Sequence, residues 1–263
     1  MKKTKAVFFT PEVERYNECL RYILDVGEMM LYSGGEINRV EDTLQRMGHA
    51  YGGEDVNVFV ITTNIMMTVR FPGGVELTQT REIPNGGKLD FTRLEALNEL
   101  SRQCCKQPLA PSRLRQRLDE LEKIEVNPKI LYLASMLSTG VFAIFFGGNI
   151  WDALVAAGFA LIICFMQRKV ADICPNNMIF CLLCSLVIGL GIGAIGRIVP
   201  VLHPDKIMIG DIMLLIPGLG ITNAIRDVFA GDTISGMLRL VESVLWAAAL
   251  AAGFMISMGL IGG

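Results

Sequence analysis

Residues 207–232, which read IMIGDIMLLIPGLGITNAIRDVFAGD, contain the polar side chains whose types and spacing most strongly indicate a functional site. Asp211 places a carboxyl group among Ile, Met and Leu residues. At the middle of a membrane helix such an acid costs about 2.5–3.5 kcal/mol to insert, and the acids that are retained there usually serve ion or substrate pathways. This pattern favours a solute site at Asp211.

The same stretch is interrupted and then becomes polar. Pro217 removes a backbone donor, and Gly218 adds a flexible residue near the middle or second half of a spanning helix. Beyond this point, polar side chains follow at roughly helical spacing: Asn223, Arg226 and Asp227. An acid, a helix break and a polar cluster so close together are typical of a discontinuous transporter helix. The alternative is a kinked helix with a snorkelling acid and an interfacial Arg–Asp pair.

A second polar cluster lies in the first half of the chain, at the start of a predicted helix. Its members are Gly35, Glu36, Arg39, Glu41 and Asp42. Acids in the first turns of a helix complement its dipole, so a solvated, dipole-matched N-terminus is the simplest interpretation. The other interpretation is a binding or gating motif.

Other chemistries lack their sequence signatures. The chain contains no Walker loop, no GxGxxG, no GxSxG and no His/Cys metal spacing, so we expect no catalytic residue, metal or cofactor. Seven cysteines without framework spacing are typical of a reducing compartment. A net charge of −2 argues against nucleic acid as a partner.

The charge distribution divides the chain into two parts that must position these clusters. Residues 1–128 hold 17 of the 24 Lys and Arg residues and 19 of the 26 Asp and Glu residues. Over residues 1–127 we expect an α+β domain in the order ααβββαα, because amphipathic helical patterns flank three β-rich runs. The apolar run after the first lysines is shorter than a signal-peptide core, so this domain is predicted to be cytoplasmic.

Residues 128–263 are predicted to form an all-α membrane domain with five spans. The spans are 129–147, 150–167, 177–199, 207–223 and 236–262. Lys129, Arg168, Lys169 and Arg226 fall on one side of this arrangement, so the positive-inside rule predicts a cytoplasmic N-terminus and an external C-terminus. Arg197, at the outer end of the third span, is either an interfacial anchor or part of a polar route.

Three stretches together resemble the threonine/serine exporter family: SGGEINRVEDTLQRM, TREIPNGGKLDFTRLEALNELSR and LLIPGLGITNAIRDVFAGDTISG. The specific motifs are G-E-x-x-R-x-E-D at residues 35–42 and P-G-x-x-x-x-N-x-x-R-D at residues 217–227, and the similarity covers about residues 12–260. Single-chain members look like a cytoplasmic domain followed by about twice as many spans. This chain therefore resembles the larger subunit of the split, two-component form.

The resemblance implies a secondary exporter of the bacterial inner membrane for small organic acids such as succinate, or for amino acids such as threonine and serine. It also implies a small membrane protein that supplies the second half of the transporter in a lipid-embedded hetero-oligomer of open copy number. With an anionic substrate, Asn223 and Arg226 would contact a carboxylate and Asp211 would carry a coupling proton. The residues expected along the translocation path are Asp211, Pro217, Gly218, Asn223, Arg226, Asp227 and Arg197.

Two alternatives stay open. In one, the chain is a membrane-anchored enzyme with its site at residues 35–42, although an anchor has no need for Asp211, Arg226 or a broken helix. In the other, the chain is a regulatory subunit whose cytoplasmic domain gates a channel formed by its partner.

Overall fold

The computed structural model shows a mainly helical protein with one small sheet in its first half. The described residues are 11–83, 89–124, 127–171 and 173–262. The combination of a small β section with a series of apolar helices confirms the expected mixture of elements.

Contacts between Cα atoms divide the chain into two compact units. The first unit consists of Met1–Ile124 and Ile225–Met237, and the second consists of Glu125–Ala224 and Leu238–Gly263. A short segment from the last third of the chain thus belongs to the same unit as the N-terminal residues.

In the sequence, two helices of the first unit precede its sheet and two follow it. They are α1 (Pro11–Tyr32), α2 (Ile37–Ala50), α3 (Phe91–Lys106) and α4 (Pro111–Glu122). Gly34, with a φ of 89°, ends α1, because the N–H groups of Gly34 and Gly35 donate to the carbonyls of Leu31 and Met30. A left-handed residue at this position favours glycine, and it directs the chain into α2.

The sheet is antiparallel with the strand order β1–β2–β3. Its strands are β1 (Asp55–Ile61), β2 (Asn64–Phe71) and β3 (Val75–Glu82). Alternate residues of β2 are buried, from Ile65 to Phe71, and they share one hydrophobic core with α1 and α2. The three β-rich runs expected from the sequence thus form a small antiparallel sheet with one face against the helices.

The remaining helices carry the apolar sequence. They are α5 (Pro128–Phe145), α6 (Ile150–Lys169), α7 (Asn177–Ile198), α8 (Pro204–Leu215), α9 (Gly218–Ala230) and α10 (Thr233–Gly262). Four of them, α5, α6, α7 and α10, are long and apolar enough to cross a membrane, and the bent pair α8–α9 would make a fifth span. These helices support a membrane protein, while the side on which each end lies stays a prediction.

Helices α7 and α10 approach closely at small residues within the second unit. A Cβ atom on Gly189 would lie 2.0 Å from Ser257 Oγ, and one on Gly253 would lie 2.0 Å from Ser185 Oγ. Pairs of this kind let membrane helices pack backbone against backbone. The contact fixes α7, which in turn packs against α8.

Candidate functional site

Asp211 lies in α8, which packs against α5, α6 and α7. The side chain is fully buried, and neither of its carboxyl oxygens has a hydrogen-bond partner among the described residues. The thiol of Cys184 on α7 is within electrostatic range of this carboxyl group. An acid in such surroundings is much less costly as the neutral carboxylic acid than as a carboxylate, because nothing replaces the lost water.

The residue before Asp211 explains how the acid becomes enclosed. A Cβ atom on Gly210 would lie 2.7 Å from the carbonyl oxygen of Thr139 on α5 and 3.1 Å from the Cβ of Ala143. Only glycine permits this approach, so α8 and α5 pack at backbone distance on one side of the acid.

The helix break lies where the sequence predicts it. Ile216 is extended (φ −67°, ψ 131°), as is usual before proline, and α8 and α9 meet at an angle of 50°. Pro217 has no N–H to offer the carbonyl of Met213. The N–H of Gly218 turns back to the carbonyl of Ile216 at 2.8 Å and so does not serve Leu214. The break therefore leaves the carbonyls of Met213 and Leu214 without their usual helical donors in an apolar span, an arrangement found where such groups line a cavity or are covered by protein.

The polar residues beyond the break belong to different units. Asn223 is half-buried in the second unit, whereas Arg226 and Asp227 belong to the segment Ile225–Met237 of the first unit. Asp227 is buried and Arg226 is largely exposed. Helix α9 thus carries this cluster across the division between the two units of the chain.

Within the first unit, the two sequence motifs meet. The guanidinium of Arg226 donates a hydrogen bond to the carboxylate of Glu36 and forms an ion pair with it. Glu36 occupies the N-cap position of α2 but makes no capping bond with its side chain, which is committed to Arg226 instead. The carboxylate partner that we expected for Arg226 is, in this structure, supplied by the protein itself.

Glu41, the next acid of the motif, fastens α2 to the sheet. Its carboxylate accepts a hydrogen bond of 2.9 Å from the N–H of Val60 on the edge strand β1. Burial raises the pKa of Glu41 above its ordinary value, the hydrogen bond from Val60 opposes this effect, and the negative charge of Asp232 adds to it. Asp232 lies in the same segment as Arg226, so two of the three acids of the motif, Glu36 and Glu41, interact with residues 225–237.

The remaining motif residues have other surroundings. The N–H of Gly35 helps to end α1, and a Cβ atom there would lie 2.8 Å from the carbonyl oxygen of Met30. Asp42 accepts hydrogen bonds of 2.9 and 2.5 Å from Arg46, one turn further along α2. Arg39 is exposed. The structure therefore brings Glu36 and Glu41 together with the Arg226 segment and turns Arg39 and Asp42 elsewhere.

Arg197 is exposed in the last turn of α7. It lines a mostly apolar cavity of about 300 Å³ with residues such as Pro204 and Met258. Among the described residues it forms no hydrogen bond or ion pair with Asp211 or Asn223. Its place along a polar route stays a prediction.

Sequence reasoning did not identify the role of Asp152. This fully buried acid accepts hydrogen bonds from the backbone of Asn149 (2.7 Å), the backbone of His203 (2.8 Å) and His203 Nδ1 (3.0 Å). With Asn149 it forms a capping box at the start of α6. The spacing N-x-x-D was a usable signal for that box, but the contact with His203 was not visible in the sequence.

Among the described residues, no group of three or more His, Cys, Asp or Glu side chains is arranged to hold a metal ion.

Comparisons with known proteins point in one direction. The family model described as "Putative threonine/serine exporter" matches residues 21–261. A "Probable succinate transporter subunit YjjP" of Klebsiella aerogenes is 23% identical over 237 residues, which cover 89% of this chain and 90% of that protein. A "Probable threonine/serine exporter" of Mycobacterium tuberculosis is 22% identical over 249 residues, which cover 90% of this chain and 46% of that protein. The chain spans about half the length of the mycobacterial protein. No solved structure matches.

Proposed function

The chain belongs to the threonine/serine exporter family, and from that premise we propose that it is a subunit of a secondary exporter in the inner membrane. Its substrates would be small organic acids or amino acids of the succinate and threonine/serine class. The observation that carries the proposal is Asp211, a fully buried acid without a hydrogen-bond partner among the described residues, in a helix packed by three others and followed by a break. The family and both relatives are transporters, which sets aside the anchored enzyme.

In this proposal Asp211 carries the coupling proton. The enclosed carboxyl group is neutral while α5, α6 and α7 surround it, and it ionises when the helices part and water reaches it. Proton release is thereby tied to a change in helix packing, which is the requirement for coupling transport to a proton gradient. The carbonyls of Met213 and Leu214, which lack their usual helical donors, and the amide of Asn223 would supply polar contacts for the substrate along the same helix pair.

Arg226 and Glu36 would form the entry gate. A substrate carboxylate is chemically equivalent to the Glu36 carboxylate, and a guanidinium pairs well with either. A substrate with a carboxylate therefore reaches Arg226 by displacing Glu36, which frees the start of α2. Such an exchange gives the first unit a gating role within the exporter and keeps one feature of the regulatory alternative. This gate requires residues 1–127 to be cytoplasmic and residues 128–263 to form the membrane domain, which is our proposed arrangement.

A partner would complete the transporter. The relative from Klebsiella aerogenes is named as a subunit, and the chain covers less than half of the exporter from Mycobacterium tuberculosis. Carriers commonly surround a midplane site with two related halves, so we propose that a small membrane protein supplies the second half in a hetero-oligomer.

The primary test is efflux of preloaded, labelled succinate and threonine from cells that contain the chain alone, or the chain with a small membrane protein encoded beside it. We expect efflux only when both proteins are present, with acceleration by an inward proton gradient. Stable insertion of both proteins without efflux of either compound would overturn the exporter assignment.

The roles of the two sites are tested with substitutions. Asp211→Asn should abolish the pH dependence of efflux, because the amide does not titrate, while the control Asp205→Asn at an exposed position should retain it. If Asp211→Asn keeps full, pH-dependent efflux, the proton assignment is wrong.

Glu36→Gln should weaken the gate and lower the substrate concentration needed for half-maximal efflux, and Arg226→Gln should raise that concentration. Equal effects of the two changes would contradict competition at Arg226.

A further inference from the structure

A cavity of about 510 Å³ lies between α2 and α3 in the first unit. It is lined from α2 by residues at helical spacing: Arg39, Asp42, Thr43 and Arg46. These residues occupy a different face of α2 from Glu36 and Glu41, which turn toward Arg226 and Val60. Helix α2 thus contributes side chains to two separate surfaces, and the exporter mechanism proposed above uses only one of them.

The cavity is strongly cationic. Its lining includes Arg39 and Arg46 from α2, Arg102 and Lys106 from α3, and a single carboxylate, Asp42. Asp42 pairs with Arg46, and Glu99 pairs with Arg102 from outside the cavity. The described residues place no carboxylate within ion-pair distance of Arg39. Several positive charges therefore share one concave surface with less negative charge than would balance them.

The side of the cavity formed by α3 adds neutral polar groups and a thiol. Ser101 Oγ donates to the carbonyl of Asn98, so its oxygen can still accept a hydrogen bond. Asn98 donates with its amide nitrogen to Leu94, which leaves its side-chain oxygen available. Cys105 is half-buried and lies within electrostatic range of Arg46 and Asp42, and burial raises the pKa of its thiol. The thiol is thus a neutral reporter group within the cavity.

We propose that this cavity binds a small anion that carries about two negative charges on carboxylate or phosphate groups. Pockets of about 300–1,000 Å³ hold molecules of metabolite size. Guanidinium groups from two facing helices match the forked oxygens of carboxylates and phosphates. An amino-acid zwitterion would bring its ammonium group against the same arginines, so the site discriminates against it. The first unit thereby has an anion-binding site that is separate from the Glu36–Arg226 pair.

The test measures binding without transport, so its failure is distinguishable from failure of the proposed exporter. The full chain in lipid nanodiscs is treated with N-ethylmaleimide, and modification of Cys105 is followed by peptide mass spectrometry. The probes are succinate, inorganic phosphate and threonine, with half-buried Cys174 of the second unit as the internal reference. An occupied cavity shields the thiol, so an anion at about ten times its Kd should slow Cys105 modification about tenfold and leave Cys174 unchanged.

Variants decide whether the cavity is responsible. Arg39→Gln and Arg102→Gln should each raise the anion concentration needed for protection by about tenfold or more. Arg117→Gln removes the same charge from an exposed position on α4 and should have no effect. Protection by succinate alone identifies a dicarboxylate site, and protection by phosphate alone identifies a phosphate site. Equal protection by threonine, absence of protection by either anion, or protection that survives both cavity variants would overturn the proposal.

Discussion

Two buried aspartates in the second unit differ in their hydrogen bonding. Asp152, at the start of α6, accepts three hydrogen bonds and ties that helix to the loop before α8. Asp211, in α8, is equally buried and has no hydrogen-bond partner among the described residues. The fold can therefore satisfy a buried carboxylate completely where the acid has a structural task. The lack of donors around Asp211 among the described residues is the difference on which our proposal of a proton-carrying role rests.

The largest effect should come from removing the satisfied acid. Asp152→Ala leaves the backbone N–H groups of Asn149 and His203 without their acceptor and breaks the capping box, so we expect a loss of about 3 kcal/mol or more of unfolding free energy. The measurement is reversible unfolding in detergent micelles.

The matched control for Asp152→Ala is Asp205→Ala. Asp205 is exposed in the first turn of α8 and pairs with Lys206 at 3.1 Å, so its removal should cost less than about 1 kcal/mol. Similar costs for the two variants would show that the bonds to Asp152 contribute little, and the contrast with Asp211 would lose its basis.

A smaller effect of opposite sign should come from the unsatisfied acid. Asp211→Leu keeps the branching of the side chain and removes two buried oxygens that lack partners, so we expect the unfolding free energy to rise by about 1–2 kcal/mol. The same unfolding assay measures it, and efflux should be lost although the protein is more stable. Destabilisation comparable to that of Asp152→Ala would show that Asp211 also has a structural role.

The smallest effect should come from Glu41, which accepts one hydrogen bond and so falls between the two aspartates. Because burial raises its pKa in the folded state above the ordinary 4.5, the folded protein binds more protons than the unfolded chain between these two pKa values. Its contribution to stability is thus greatest below pH 4.5 and decreases as the pH rises through the folded pKa.

Glu41→Gln retains an oxygen acceptor for the N–H of Val60 but does not titrate. The decline in stability with rising pH just above 4.5 should therefore become shallower in this variant than in the unaltered protein. Unfolding midpoints measured from pH 4.5 to 7 will show the difference, with the exposed Glu120→Gln as control. Identical slopes for Glu41→Gln and the unaltered protein would show that Glu41 does not cause the decline in stability with rising pH.

Much of the fold follows from local signals in the sequence. Gly34 ends α1, Pro111 begins α4, and Pro217 separates α8 from α9. Each of these residues restricts or frees the backbone through its own covalent structure. The alternation along β2 predicts its covered face, since side chains of a strand point to opposite sides in turn. The apolar helices follow from hydropathy for a similarly local reason.

The site was only partly predictable. The burial of Asp211 follows from its apolar neighbours in the sequence, but its lack of partners depends on which faces of α5, α6 and α7 meet α8. The pairing of Glu36 with Arg226 joins residues 190 positions apart, and the bond from His203 to Asp152 joins residues 51 positions apart. A single sequence contains no local pattern that reports contacts over such separations.

The membership of Ile225–Met237 in the first unit has a consequence for biosynthesis. On the ribosome, the residues of the N-terminal portion emerge well before the segment that carries Arg226. At about 5–20 residues per second, the delay is on the order of ten seconds. During that interval Glu36 lacks its partner, so the N-terminal portion can reach its final form only after the membrane helices between them have been synthesised. The first unit is therefore complete only after residues 225–237 have been synthesised. A chain truncated before residue 225 would lack this segment and the Glu36–Arg226 ion pair.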